Sequence, residues 1–387
     1  MRILYYCPEY FSLHGGRAHA RGFFGALKNV SSVSESFLYP SNNSGEQHSK
    51  GKVSPDKLKL LPRTVRQLIY LFWPRRNLTN ILIREIRNHE CDALIIRTGL
   101  CNLLIGMIKR ACPDTVTCLE INAAACDESF RGVPFRSVLQ RLEVMMFNRA
   151  DAITVVSSYL KNYLVKRGVP SRKIIVNHNG VNVDAVTYSG LDNIRKKYGI
   201  PDGAFLLGYI GGMETFRRLP EVIRYMAELR SAGNYDLYLL IVGDGKDMGN
   251  VQAAIEAERS VLGNSVKCLG WQEHSEVPKF LSAFDISIFP FTNDYCSPLK
   301  LFEYMGAGVP TIGPDTAAVR EVFEDGVHLK LVKQDGSNFI STVMDLKDNP
   351  QLRAELGDNG RQLVLSEYTW EKNVERVLTH IQRIRSQ

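Results

Sequence analysis

Residues Phe289 to Pro310, F-P-F-T-N-D-Y-C-S-P-L-K-L-F-E-Y-M-G-A-G-V-P, hold the densest chemistry in the chain. Ile286, Ile288 and Phe289 read as the end of a buried strand, Thr292 to Ser297 as a polar loop, and Pro298 as part of the first turn of a helix. A helix that starts directly after a strand turns several unpaired N–H groups outward, with the positive end of its dipole behind them. Ser297, Pro298, Leu299 and Lys300 thus frame an anion site, best suited to a phosphate. Glu303, one to two turns further in, can accept hydrogen bonds from sugar hydroxyls, as the acidic residue of dinucleotide folds does from a ribose. The chemistry is that of a nucleoside diphosphate site.

Two other groups stand at the ends of expected strands. Gly15-Gly16 lies between a first strand, Met1 to Cys7, and an amphipathic helix from about Arg17 to Asn29. Paired glycines let a backbone approach a ligand closely, although no full G-x-G-x-x-G is present. The strand Val116 to Ile121 runs into E-I-N-A-A-A-C-D-E-S-F. Ligands in open α/β sheets sit beyond strand C-termini, so Glu120 and Asn122, with Asp127 and Glu128, are candidates for acceptor binding or chemistry.

The elements that must position these residues alternate between strand and helix along the whole chain. Helical spacing covers Leu78 to Arg87, a strand spans Ala93 to Ile96, and a β-α unit runs from Thr98 to about Arg110. Ala150 to Leu164 reads as strand, serine turn and helix. The pattern restarts at F-L-L-G-Y-I-G-G, Phe205 to Gly212, and continues through strands near 238–242, 266–270, 284–290, 311–314 and 326–332 to helices at about 350–366 and 371–387. Such alternation, met twice, predicts two α/β domains with mostly parallel sheets.

Composition narrows the class. With 387 residues, 44% hydrophobic and 23% charged, the chain is that of a globular protein of two or three domains. A net charge of +7 suits phosphate-bearing ligands or an anionic membrane surface and is too small to argue for nucleic acid. The eight cysteines form no C-x-x-C pair and read as reduced core thiols. No cleavable leader or membrane span is visible, so a cytoplasmic location is expected, with peripheral membrane contact through 57–76. That segment, K-L-K-L-L-P-R-T-V-R-Q-L-I-Y-L-F-W-P-R-R, mixes six basic residues with Leu, Tyr, Phe and Trp and has no acid.

S-P-L-K-L-F-E-Y-M-G-A-G-V-P-T-I resembles the donor-site segment of GT-B retaining glycosyltransferases, in particular family 4 (glycosyl transferases group 1). There an E-x7-E motif supplies a second glutamate that binds the donor ribose, which Glu303 matches; Tyr295 stands where the first glutamate would be. A-D-A-I-T-V-V-S-S-Y-L-K-N-Y-L followed by I-I-V-N-H-N-G-V-N-V-D resembles the family's N-G-V signature over a whole register. In relatives the first strand of the second domain ends in G-R-L-x-x-x-K-G, whose arginine and lysine hold the diphosphate. Arg217 falls on the lysine position, Gly212 falls on the arginine position, and Lys300 is a candidate to substitute for the missing clamp. Asn122 takes roughly the place of a cleft-facing histidine, and Gly15-Gly16 that of a glycine pair near the donor phosphates.

The resemblance implies two Rossmann-like domains facing across a cleft: 1–190 for the acceptor, 191–367 for the nucleotide sugar, and 368–387 as a helix packing back on the first. The implied activity is retaining, metal-independent transfer of a sugar from a UDP or GDP donor to a hydroxyl of a glycan or lipid-linked acceptor. It needs no cofactor beyond the donor and has Arg217, Glu120 and Asn122 as its catalytic candidates. No D-x-D motif is present. The departures at Gly212 and Tyr295 keep two alternatives open, a non-catalytic nucleotide-sugar-binding subunit and a sugar-nucleotide epimerase of the same fold.

Overall fold

The computed structural model describes residues 1–8, 10–11, 16–40, 75–98, 105–123, 136–182, 186, 190 and 193–386. Gly15, Asp127, Glu128, residues 57–74 of the basic aromatic segment, and the side chains of Arg75 and Arg76 lie outside this description. The chain forms two compact units, Met1–His178 with Asn373–Gln387, and Asn179–Lys372. The main break thus falls at His178, upstream of residue 190.

The first unit is built on six parallel strands, β1 (Arg2–Tyr6), β2 (Glu35–Tyr39), β3 (Ala93–Thr98), β4 (Val116–Ile121), β5 (Ala152–Val155) and β6 (Ile174–Val176), in the order β2-β1-β3-β4-β5-β6. β4 and β5 are buried along their whole length, as apolar runs covered on both faces must be. Helices α1 (Gly16–Leu27), α2 (Arg75–Asn88), α3 (Ile105–Ala111), α4 (Arg136–Arg149) and α5 (Ser158–Lys166) belong to this unit. The serine turn expected before α5 is its N-cap: Ser157 Oγ accepts from the Leu160 N–H at 3.3 Å. The C-terminal helix, Trp370–Arg385, closes the unit from Asn373 onward. His380 Nε2 meets the Lys173 carbonyl at 2.8 Å, Arg385 pairs with Asp92 at 2.7 Å, and Val374, Val377, Leu378 and Ile381 are buried.

The second unit repeats the plan with β7 (Phe205–Ile210), β8 (Leu237–Val242), β9 (Val266–Cys268), β10 (Ile286–Ile288), β11 (Thr311–Pro314) and β12 (Lys330–Val332), all parallel, in the order β12-β11-β10-β7-β8-β9. Of its helices, α6 (Leu219–Ser231) follows the loop after β7, α7 (Leu299–Gly306) carries Lys300 and Glu303, and α8 (Pro350–Glu367) comes late in the unit. β7 has no exposed residue, and a Cβ on its Gly208 would collide with the Phe284 ring, so that strand can be pressed so closely only as glycine. Strand β2 and helix α4 go beyond the sequence reading. β2 is an edge strand with serine and glutamate in it, which weakens its apolar signature.

Candidate functional site

In the second unit the strand order reverses between β7 and β10, because β8 and β9 lie on one side of that pair and β11 and β12 on the other. Loops leaving such a pair diverge and open a crevice, the usual ligand place in open α/β sheets. Gly212 and Arg217 sit on the loop after β7, and Ser297, Pro298, Leu299, Lys300 and Glu303 follow β10. The fold therefore gathers all the second-unit candidates at its switch point.

Helix α7 begins at Leu299, and Pro298 is its N-cap, with φ −70° and ψ 116° and no side-chain cap bond. The proline thus precedes the first turn rather than lying in it; its fixed φ suits both places. The carbonyl of Ser297 accepts from Asn179 Nδ2 at 2.5 Å, which ties the N-G-V turn to the lip of the helix. Gly180 of that turn packs on the Thr369 backbone at 2.8 Å from its would-be Cβ, so no larger residue fits there.

Glu303 is 5% exposed. Lys300 Nζ donates to its Oε2 at 2.6 Å, and His274 Nε2 lies 3.3 Å from its Oε1. Burial alone would push the carboxyl up, but the Lys300 and His274 charges and hydrogen bonds outweigh it and hold the group at about 2. It is an ionised acceptor at neutral pH. Lys300, read as a substitute phosphate clamp, is committed to this carboxylate.

Arg217 is half-buried at the end of a 3₁₀ turn, Thr215–Arg217. Its Nη1 donates to Thr292 Oγ1 at 2.6 Å and to the Phe291 carbonyl at 3.2 Å, and its guanidinium lies over the Phe289 ring at 4.1 Å. Arg217 thus ties the two switch-point loops together, and Arg218 adds a second tie over the Phe291 ring at 4.1 Å. Tyr304 closes the floor: its hydroxyl donates to the Ile210 carbonyl at 2.6 Å and accepts from the Ile210 N–H at 2.8 Å. Gly212 is exposed, with the Asp244 carbonyl 4.0 Å from its would-be Cβ and nothing nearer.

In the first unit, the switch point lies between β1 and β3. Glu120 is buried at 6% and makes close ion pairs with Arg97 and His19, while the Tyr5 hydroxyl donates to its Oε2 at 3.3 Å. Burial would raise its carboxyl, but His19 and Arg97 hold it at about 2. Asn122 turns its side-chain oxygen to Arg97, accepting from Nη1 at 2.7 Å and Nη2 at 2.8 Å. His19, Glu120, Asn122, Thr154, Asn177 and Asn373 surround a cavity of about 10 Å³, room for about one water. Glu120 is thus locked inside the unit, where it holds α1, β3 and β4 together. Gly16 is the first residue of α1, three residues before His19.

Tyr5, His19, Arg97 and His274 were not picked from the sequence. Arg97 had a signal, a lone charge ending the apolar run A-L-I-I-R-T. His19 lies within the helix face that buries Ala20, Phe23 and Phe24, where it looks like core. His274 is 29 residues from Glu303, and nothing in the spacing joins them.

Two family models match the chain. Residues 191–363 match that described as Glycosyl transferases group 1, and residues 36–185 that described as Glycosyltransferase Family 4. The N-acetyl-alpha-D-glucosaminyl L-malate synthase of Bacillus anthracis is 24% identical over 232 residues, covering 60% of this chain and 59% of its own. The lipopolysaccharide 1,2-N-acetylglucosaminetransferase of Salmonella typhimurium is 22% identical over 231 residues, 58% of this chain and 60% of its own. The chain thus spans less than two thirds of these relatives. Among solved structures, HepE of Anabaena in complex with UDP superimposes with a TM-score of 0.71 at 16% identity, over 99% of this chain and 100% of that one. With one model on each half and two six-stranded parallel sheets of the matching fold, the chain belongs to the group 1, family 4 glycosyltransferases of the GT-B fold.

Proposed function

We propose that the chain is a retaining glycosyltransferase of surface polysaccharide or glycolipid synthesis. It moves a sugar from a UDP or GDP donor to a hydroxyl of a glycan or lipid-linked acceptor at the inner face of the membrane. The observation that carries this reading is the buried, ionised Glu303 on α7 beside the switch point, with Arg217 across the same crevice. A carboxylate held near 2 by Lys300 and His274 is a fixed acceptor for ribose hydroxyls. As the sugar–phosphate bond breaks through an oxocarbenium-like state, charge grows on the leaving diphosphate. Donors held in place before the reaction stabilise that charge most. Here these are Arg217, whose planar fork suits phosphate oxygens, and the first N–H groups of α7, with no metal required. The family supports retention, and the UDP complex of HepE supports a uridine donor.

The test is thermal stability with UDP, GDP, ADP, CMP and TDP, with and without magnesium. One diphosphate at about 100 times its Kd stabilises the chain by about 2.7 kcal/mol, and Glu303→Ala removes the shift. A chain that responds to none of them has no donor site of this kind. NMR of the product's anomeric proton then decides retention against inversion.

A further inference from the structure

Helix α4 carries a surface stripe that neither the donor chemistry nor the core explains. Val138, Arg141, Met145 and Arg149 follow one another at spacings of three, four and four, which puts them on one side of the helix. All four are exposed, the apolar pair markedly so: Val138 by 52% and Met145 by 40%. Beside the stripe, α4 and Arg167 border a shallow groove of about 500 Å³, with Val144 contributing apolar wall. The Arg167 guanidinium lies over the Tyr163 ring at 3.6 Å, a charge carried on an aromatic base.

The charge around this stripe has one sign. Residues 136–173 hold eight Lys and Arg against two acids, Glu143 and Asp151. Glu143 is buried at 4%, and Asp151 is paired with Lys109 at 2.9 Å. An exposed face that alternates long cations with apolar side chains, and shows no exposed acid among the described residues of α4, complements an anionic lipid surface. The arginines meet headgroups while Met145 and Val138 enter the acyl boundary. It complements a second copy of itself poorly, because a two-fold contact would set arginine against arginine.

We infer that the α4 stripe, with Arg167, docks the chain on an anionic bilayer. This inference stands on charge and exposure in the first unit and does not rest on the donor reading. Its test is co-sedimentation of the full-length chain with vesicles of phosphatidylglycerol and phosphatidylcholine, compared with phosphatidylcholine alone. The chain binds the anionic vesicles, loses them as salt rises from about 0.1 M to about 0.5 M, and ignores the neutral ones. In Arg141→Glu with Arg149→Glu, binding falls about tenfold or more; Val138→Ser with Met145→Ser weakens it too. If the charge reversal disturbs the melting curve, Arg141→Gln with Arg149→Gln replaces it. A wild-type chain that fails to bind, or a double variant that loses less than about fivefold, overturns the inference and moves any lipid contact elsewhere. A dimer by analytical ultracentrifugation that dissolves in the same variant overturns it in favour of a second copy.

Discussion

Glu303 and Glu120 show how alike two buried carboxylates can be electrostatically and how different in placement. Each is held at about 2 against burial by one cation and one histidine, Lys300 with His274 and Arg97 with His19. A carboxylate with a depressed native pKa contributes stability that is fully present above its unfolded value and is lost as pH falls through the native one. Stability measured by urea unfolding should therefore decline as pH drops from about 4.5 towards 2. Glu303→Gln removes its share of that decline and leaves that of Glu120, and an unchanged slope would mean the Glu303 pair contributes nothing. Arg217→Ala removes a tie between the loops and, on the proposed function, a charge for the donor phosphates. It should cost about 100-fold or more in kcat/KM with a small change in melting temperature. Gly212 has open space around it, with 4.0 Å to the nearest atom from a would-be Cβ. Gly212→Arg should therefore leave urea stability within about 0.5 kcal/mol and tighten nucleoside diphosphate binding, read by calorimetry.

At the scale of elements, the site depends on the seam between β7 and α7. Tyr304 reaches from the helix to both backbone groups of Ile210 and is itself fully buried. Tyr304→Phe keeps the ring and leaves those two groups short of a partner, so it should cost about 1–3 kcal/mol by denaturant titration. It should also weaken donor binding by letting α7 move. If stability falls while donor affinity stays, the helix is positioned by its apolar face instead. The strands were legible because runs such as L-Y-L-L-I-V and V-T-C-L-E-I are buried on both faces and can be little else. β2 escaped notice because it is an edge, with an exposed glutamate at its start and half-buried residues after it.

At the scale of the whole molecule, the C-terminal helix is part of the first unit although it is the last element of the chain. Removing residues 373–387 exposes the faces that cover Val374, Val377, Leu378 and Ile381. Each such side chain is worth about 1.5–3 kcal/mol, so the four together rival the 5–15 kcal/mol of a typical domain. The truncated chain should lose the calorimetric transition of its first unit and keep that of its second. A chain truncated at 372 that keeps both transitions would show the helix to be an ornament.

Local chemistry alone determined the two-fold α/β plan and the helix that carries Glu303, because strand burial, glycine turns and helix starts are written in neighbouring residues; Arg217 was singled out by the family resemblance. Tertiary structure decided the partners. The sequence offers Glu120 as a group to meet an acceptor, but folding sets it between His19 and Arg97, from elements 101 and 23 residues away. Lys300 was open to phosphate or to Glu303, its i,i+3 neighbour on α7, and folding buried that pair as a 2.6 Å bond. The switch points follow from strand order, which no single segment specifies. For Glu120 with His19 and Arg97, and for Glu303 with His274, charge pairing is a long-range decision: it depends on which residues the core brings within a few ångströms, not on their spacing along the chain.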